Sequence, residues 1–162
     1  QDDQGRDAGH EQAVLDGGGA ALVGGGTPEQ ADSLGQLFET FGTAFQIVDD
    51  VLNLRGFEEN RKHRGEDITA GKITAPVAKA MGLLARDQRC ELVAILAAKP
   101  ADWASILRAV ALIDGCGALE ACEREARDLI ESAWAQAEPL IPDSYFKVRL
   151  RAFCWFILDR NY

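Results

Sequence analysis

Histidine is scarce in this sequence, with only His10 and His63, and its four cysteines, Cys90, Cys116, Cys122 and Cys154, form no CxxC pair. That spacing offers no zinc site, and cysteines scattered this way read as reduced, mostly buried thiols. Basic residues are also in short supply, 17 Lys and Arg against 26 Asp and Glu, for a net charge of -9. Nucleic-acid binding needs concentrated positive charge, so no nucleic-acid partner is expected. No apolar run approaches the ~20 residues of a membrane span and no signal-peptide pattern opens the chain. A soluble, cytoplasmic protein without a transmembrane segment is the expectation. Strand-like alternation and hairpin signals are missing too. What remains is 162 residues, 47% apolar and 27% charged, enough to bury one core. The fold class predicted is all-α, a helical bundle of about six helices with short connections.

Eight of the 16 glycines fall in the first 26 residues, where GGGAALVGGG surrounds a short apolar stretch. No Lys-Ser or Lys-Thr follows and no strand precedes it, which excludes a phosphate-binding P-loop. Residues 1–26 are expected to be poorly ordered, with residues 20–24 the remnant of a helix, and residues 27–162 to form the helical domain.

Thr27-Pro28-Glu29-Gln30 reads as a helix start, with Thr27 as cap, Pro28 at the first helical position and Gln30 reaching back in a capping box. Leu34, Leu37, Phe38, Phe41, Ala44, Phe45, Val48 and Leu52 recur at helical steps, and Gly56 is placed to stop the helix. Gln46, Asp49, Asp50 and Asn53 stack on one narrow polar face of it. Two adjacent carboxylates near a helix C-terminus are opposed by their own repulsion and by the macrodipole unless a cation is bound. Asp49 and Asp50 supply the hard oxygen donors that magnesium takes, and Asn53 adds an amide oxygen, directly or through water.

The segment that follows fits KxxGxDxxxGKxTxP, with Lys62, Gly65, Asp67, Gly71, Lys72, Thr74 and Pro76 in place. Lysines put point charges on phosphate oxygens and glycines permit tight turns and close backbone approach. Asp67 is suited to cap a short turn, and Pro76 falls in the first turn of a helix running from Ala75 to about Leu84. His63, between Lys62 and Arg64, reads as a solvated loop histidine.

Phe45-Gln46-Ile47-Val48-Asp49-Asp50, with the lysine-glycine segment behind it, resembles the second aspartate-rich region of the trans-isoprenyl diphosphate synthases, the polyprenyl synthetase family. The strong part of the resemblance runs from Phe45 to Pro76, and a weaker part extends it from about Thr27 to the aromatic-rich end. It implies the C-terminal half of the isoprenoid synthase fold. It also implies an enzyme that joins isopentenyl diphosphate to an allylic diphosphate, using magnesium between two aspartate-rich motifs. In that scheme Asp49 and Asp50 hold the metal with Asn53, Gln46 sits close to the allylic substrate, Lys62 and Lys72 contact its diphosphate, and Asp67 is a more distant contact. Two departures stand out. Asn53 replaces the third aspartate of the motif, and the family's first aspartate-rich motif, its arginines and its Lys-Thr pair have no counterpart. Asp2-Asp3-Gln4-Gly5-Arg6-Asp7 has paired aspartates at the wrong spacing.

The resemblance therefore points to a C-terminal portion of a longer enzyme, inactive without the other half, a reading that Gln1 in place of an initiator methionine supports. A homodimer or heteromer is expected. The alternatives are a non-catalytic partner subunit of a heteromeric synthase and a helical bundle without ligand. Beyond Ala85, helices are expected around residues 92–96, ended by Pro100, and 106–113, ended by Gly115 or Gly117. A third runs from Ala118 to before Pro139 or Pro142, and the last starts at Asp143 or Ser144. On that last helix Phe146, Leu150, Phe153 and Ile157 form a stripe that Trp155 and Phe156 widen, and it is expected to be largely buried.

Overall fold

The computed structural model describes residues 17–56 and 65–159. Lys62, His63, Asp2 and Asp3, weighed above, lie outside them. Among the described residues the chain is helical and without strands. After a helix over residues 17–23 (α1) come α2 (Pro28–Arg55), the short α3 (Glu66–Ala70), α4 (Ala75–Leu83), α5 (Arg86–Ala98), α6 (Trp103–Gly115), α7 (Ala118–Ala137), a 3-10 turn (Glu138–Leu140) and α8 (Tyr145–Leu158). The all-α expectation holds. Where it is described, the glycine-rich stretch is helical over residues 17–23, which takes in most of the helix remnant expected at residues 20–24. Gly17 there packs against Phe38: a Cβ on it would sit 3.0 Å from that ring.

The start of α2 is the capping box read from the sequence. Thr27 N–H donates to Gln30 Oε1 at 2.9 Å and Gln30 N–H to Thr27 Oγ1 at 3.2 Å. Thr27→Ala is expected to cost about 1 kcal/mol, read as a melting-temperature loss of ~2–4 °C. At the other end Gly56 takes a left-handed φ of 80° and donates to the Leu52 carbonyl, closing the helix as glycine allows.

The described residues divide into two compact units: 17–46 with 126–159, and 47–56 with 65–125. In the second, Val51, Leu54, Ile68, Val77, Ala80, Leu92, Leu96, Ile106, Val110, Ile113 and Leu119 are buried in one cluster. Arg108 clasps Glu91 with two nitrogens, at 2.6 and 2.7 Å, and ties α6 to α5 at the surface. In the first unit, Leu37, Phe41, Ala44, Ile130, Cys154 and Ile157 are buried. Gln30 Nε2 also donates to the Leu140 carbonyl at 2.8 Å. Arg151 donates to Glu131 and lies over the rings of Trp134 and Trp155.

Two burial expectations are corrected. On α2, Phe45 is 42% exposed, while Val51 and Leu54 are buried. A stripe counted in threes and fours drifts around a helix of this length, and the neighbours settle which edge of a broad apolar face is covered. On α8, only Cys154 and Ile157 are buried, while Tyr145, Phe146, Val148, Trp155 and Phe156 are half or more exposed. A helix apolar nearly all round carries no record of which side packs. The thiols are free, Cys122 and Cys154 buried as expected and Cys90 exposed.

Candidate functional site

Asp49, Asp50, Asn53, Asp67 and Lys72 all lie in the unit that holds residues 47–125. Buried Val48, Val51 and Leu54 fix the roll of α2 about its axis. That leaves Asp49 exposed, Asp50 and Asn53 half-buried, and Gln46 exposed one turn earlier. Asp50 meets the chain again 25 residues later, where its Oδ2 accepts the Ala75 N–H at 2.9 Å. Ala75 opens α4, so the carboxylate sits on the positive end of that helix.

The segment between them is shaped by two left-handed glycines. Gly65, at φ 79°, precedes α3 and donates to the Asn53 carbonyl at 3.0 Å. Gly71, at φ 69°, follows α3 and donates to the Ile68 carbonyl, while Lys72 N–H donates to the Asp67 carbonyl at 2.9 Å. This pair of bonds is a Schellman closure, which turns the chain back on the helix it ends. The consequence is local and chemical: Lys72 Nζ lands 2.8 Å from Asp67 Oδ1. Asn53 Oδ1 lies 3.5 Å from the Asp67 N–H, at the long limit of a hydrogen bond, so Asn53 holds the first turn of α3.

Electrostatics follow from this packing. Burial raises the Asp50 pKa above the ordinary carboxylate value, and the charges of Asp67 and Asp49 push the same way. The Ala75 hydrogen bond and Lys72 oppose the rise without cancelling it. Other nearby cations are committed elsewhere: Arg55 to Glu120 and Glu123, and Lys79 to Glu125. Lys72, with its side chain 61% exposed and paired to a site carboxylate, can exchange that partner for an incoming anion at little loss. Cys122, within range of Asp50 and Lys79, has its thiol pushed up to about 11 by burial, which leaves it protonated and inert at neutral pH.

The structure thus brings together Asp49, Asp50, Asn53, Asp67 and Lys72. Sequence reasoning places Thr74 in the motif without a role, and does not reach the Ala75 amide beside it. Pro76 signals a helix start there, but nothing local says that the cap comes from Asp50. As a cation site the donor set fits one kind of ion. Among the described residues no three His, Cys, Asp or Glu side chains stand close enough to cage a metal. Carboxylates whose mutual charge raises the Asp50 pKa fit a hard divalent cation held through one or two of them, its other ligands being water and phosphate.

The family model for polyprenyl synthetases matches residues 15–113, more than half of the chain. The chain belongs to the polyprenyl synthetase family. Its matched span contains the aspartates, both glycines and Lys72. Over 143 residues the chain is 31% identical to an all-trans-nonaprenyl-diphosphate synthase (geranyl-diphosphate specific) of Rhodobacter capsulatus, covering 88% of this chain and 43% of that protein. It is equally similar, at 31% with the same coverage, to a short chain isoprenyl diphosphate synthase of Methanothermobacter thermautotrophicus. Among solved structures, a polyprenyl synthase from Caulobacter crescentus complexed with calcium and isoprenyl diphosphate superposes with a TM-score of 0.82 and 26% identity, over 93% of this chain and 46% of that one. The chain spans less than half the length of these relatives. Family membership places the all-α architecture with the isoprenyl synthases. No helix among the described residues is long and apolar enough to cross a membrane.

Proposed function

We propose that this chain carries the diphosphate-binding, cation-holding part of a trans-prenyl diphosphate synthase, which joins isopentenyl diphosphate to an allylic diphosphate. The observation that carries the reading is the convergence of Asp49, Asp50, Asp67 and Lys72 around the start of α4, in a chain of this family. The calcium and isoprenyl diphosphate in the Caulobacter synthase support a divalent cation, which we take to be magnesium. When bound it supplies charge neutralisation to a departing diphosphate. Asp49 and Asp50 hold it, with Asn53 contributing through water. Lys72 releases Asp67 and takes a phosphate oxygen, and Lys62, ten positions earlier in the motif, takes another. Gln46, on the same face of α2, lies toward the allylic end. The protein's main contribution is the fixed placement of these charges where negative charge develops.

The chain alone is proposed to bind diphosphate without condensing substrates, because the first aspartate-rich motif has no counterpart in it. Isothermal titration with inorganic pyrophosphate, with magnesium or with a chelator, tests this; heat that is the same in both would sink the reading. Lys72→Gln is expected to weaken the magnesium-dependent binding about tenfold, the 1.4 kcal/mol equivalent of one charge-assisted hydrogen bond. A second reading, a non-catalytic partner subunit in a heteromeric synthase, draws on the exposed aromatics of α8. It predicts assembly with a synthase chain and no magnesium-dependent heat.

A further inference from the structure

Helix α4 has one more polar group at its N-terminus than it uses. Thr74 stands at the cap position, 9% exposed, and its Oγ1 is buried without a hydrogen-bond partner. Its side chain accepts no amide of α4. A threonine there ordinarily accepts the N–H of the second or third helical residue. The second is Pro76, which has no N–H, so Val77 is the amide left for it. The group in place at this helix end is Asp50, on the Ala75 N–H. Unpaired buried hydroxyls are uncommon in folded proteins and ask for a reason.

Resting on the reading that Asp50 holds a cation, we infer that Thr74 is the alternate cap of α4. It is a positioning residue whose hydroxyl takes over the helix N-terminus when the Asp50 carboxylate turns from Ala75 toward a cation and diphosphate. Both demands fall on one carboxylate. Thr74 on the Val77 N–H would give α4 one side-chain cap in place of the one Asp50 makes on Ala75; without it, turning Asp50 outward leaves the half-buried start of α4 with no side-chain cap at all. That loss would subtract from ligand affinity and loosen the turn carrying Lys72, which lies two residues before Thr74. With Thr74 as replacement, the start of α4 and the Lys72 turn hold their positions in both states.

A substitution cycle on the 162-residue chain tests this, first without ligand. Thr74→Val keeps the shape and removes the hydroxyl, and Thr74→Ser keeps the hydroxyl. In the parent, Thr74→Val is expected to leave the melting temperature unchanged or raise it, because the hydroxyl has no partner to lose. In an Asp50→Ala background the same change is expected to lower it by a further ~2–4 °C, with Thr74→Ser showing no such loss. Equal effects in the two backgrounds would overturn the proposal, whatever any ligand does. If Asp50→Ala does not fold, amide exchange reads the same handover. The Val77 N–H gains protection when magnesium and pyrophosphate are added to the parent and gains none in Thr74→Val; equal protection in both overturns the proposal. In titration, Thr74→Val should bind magnesium-dependent pyrophosphate about tenfold more weakly, and Thr74→Ser like the parent. Binding by Thr74→Val equal to the parent also overturns it. Failure of the parent to bind pyrophosphate would instead defeat the proposed function, and the ligand-free cycle would still decide whether Thr74 is the second cap.

Discussion

Asp50→Asn is expected to weaken magnesium-dependent pyrophosphate binding at least ~100-fold while leaving the unliganded chain as stable as the parent or more so. The affinity loss is set at or beyond the upper end of what removing a group that merely supports a metal ligand costs. The stability gain follows from the sign of the pKa shift. The folded-state pKa of Asp50 is raised above its unfolded value, first by burial and then by Asp67 and Asp49. Between the ordinary carboxylate value and the raised one the folded state binds more protons than the unfolded state, so stability falls as pH rises through that window. Above it the ionised carboxylate keeps the full penalty. Asparagine removes that penalty and keeps an oxygen for the Ala75 N–H, so the parent's stability disadvantage should shrink below the window. Titration calorimetry and melting curves across pH read the two halves separately. Unchanged magnesium-dependent binding in Asp50→Asn would defeat the assignment of the site, and a large stability loss would show that Asp50 acts mainly as a structural anchor.

Gly71→Ala is expected to be the most damaging single-methyl addition among the site glycines, at about 2–5 kcal/mol. That range sums about 1–2 for an alanine at left-handed φ and about 1–3 for overpacking. The added Cβ would stand 2.8 Å from the Leu96 backbone oxygen near the end of α5, an atom that cannot rotate away. Gly65→Ala meets Ile106 Cγ2 at 2.5 Å, also at positive φ, but a side chain can yield where a backbone cannot. Gly82, inside α4 with nothing within 4 Å of an added methyl, is the control: Gly82→Ala should be neutral or stabilising by up to ~1 kcal/mol. Because Gly71 closes the turn that sets Lys72 beside Asp67, its alanine variant should also lose pyrophosphate binding at temperatures where it remains folded. Melting curves for the three variants check the order. A Gly71→Ala chain as stable as Gly82→Ala would mean that the turn adopts another closure and that Lys72 is not held by it.

The parts of this protein legible in the sequence are those whose physics is complete within a few residues. The capping box of Thr27 and Gln30 spans four positions, and both of its hydrogen bonds form. The Gly56 stop, the Ser144 cap of α8 and the start of α4 at Ala75 are equally local. So is the linear order of aspartates, glycines and lysines by which the family could be named, since spacing along a helix and a short loop fixes which groups share a face. Tertiary structure alone decided the rest. Phe45 and Leu54 are both apolar residues of α2, yet one is 42% exposed and the other fully buried. The difference lies in what stands opposite them. The aromatic stripe of α8 predicts an inward face, yet most of its rings lie in the open, because a helix with apolar residues on nearly all sides, broken only by Lys147, Arg149 and Arg151, does not encode its own orientation. Asp50 reaching the Ala75 amide, and Thr74 left without a partner beside it, depend on contacts across 25 residues of chain. A sequence states what each residue can bond to within a turn of helix; which distant group arrives there is settled only when the helices pack.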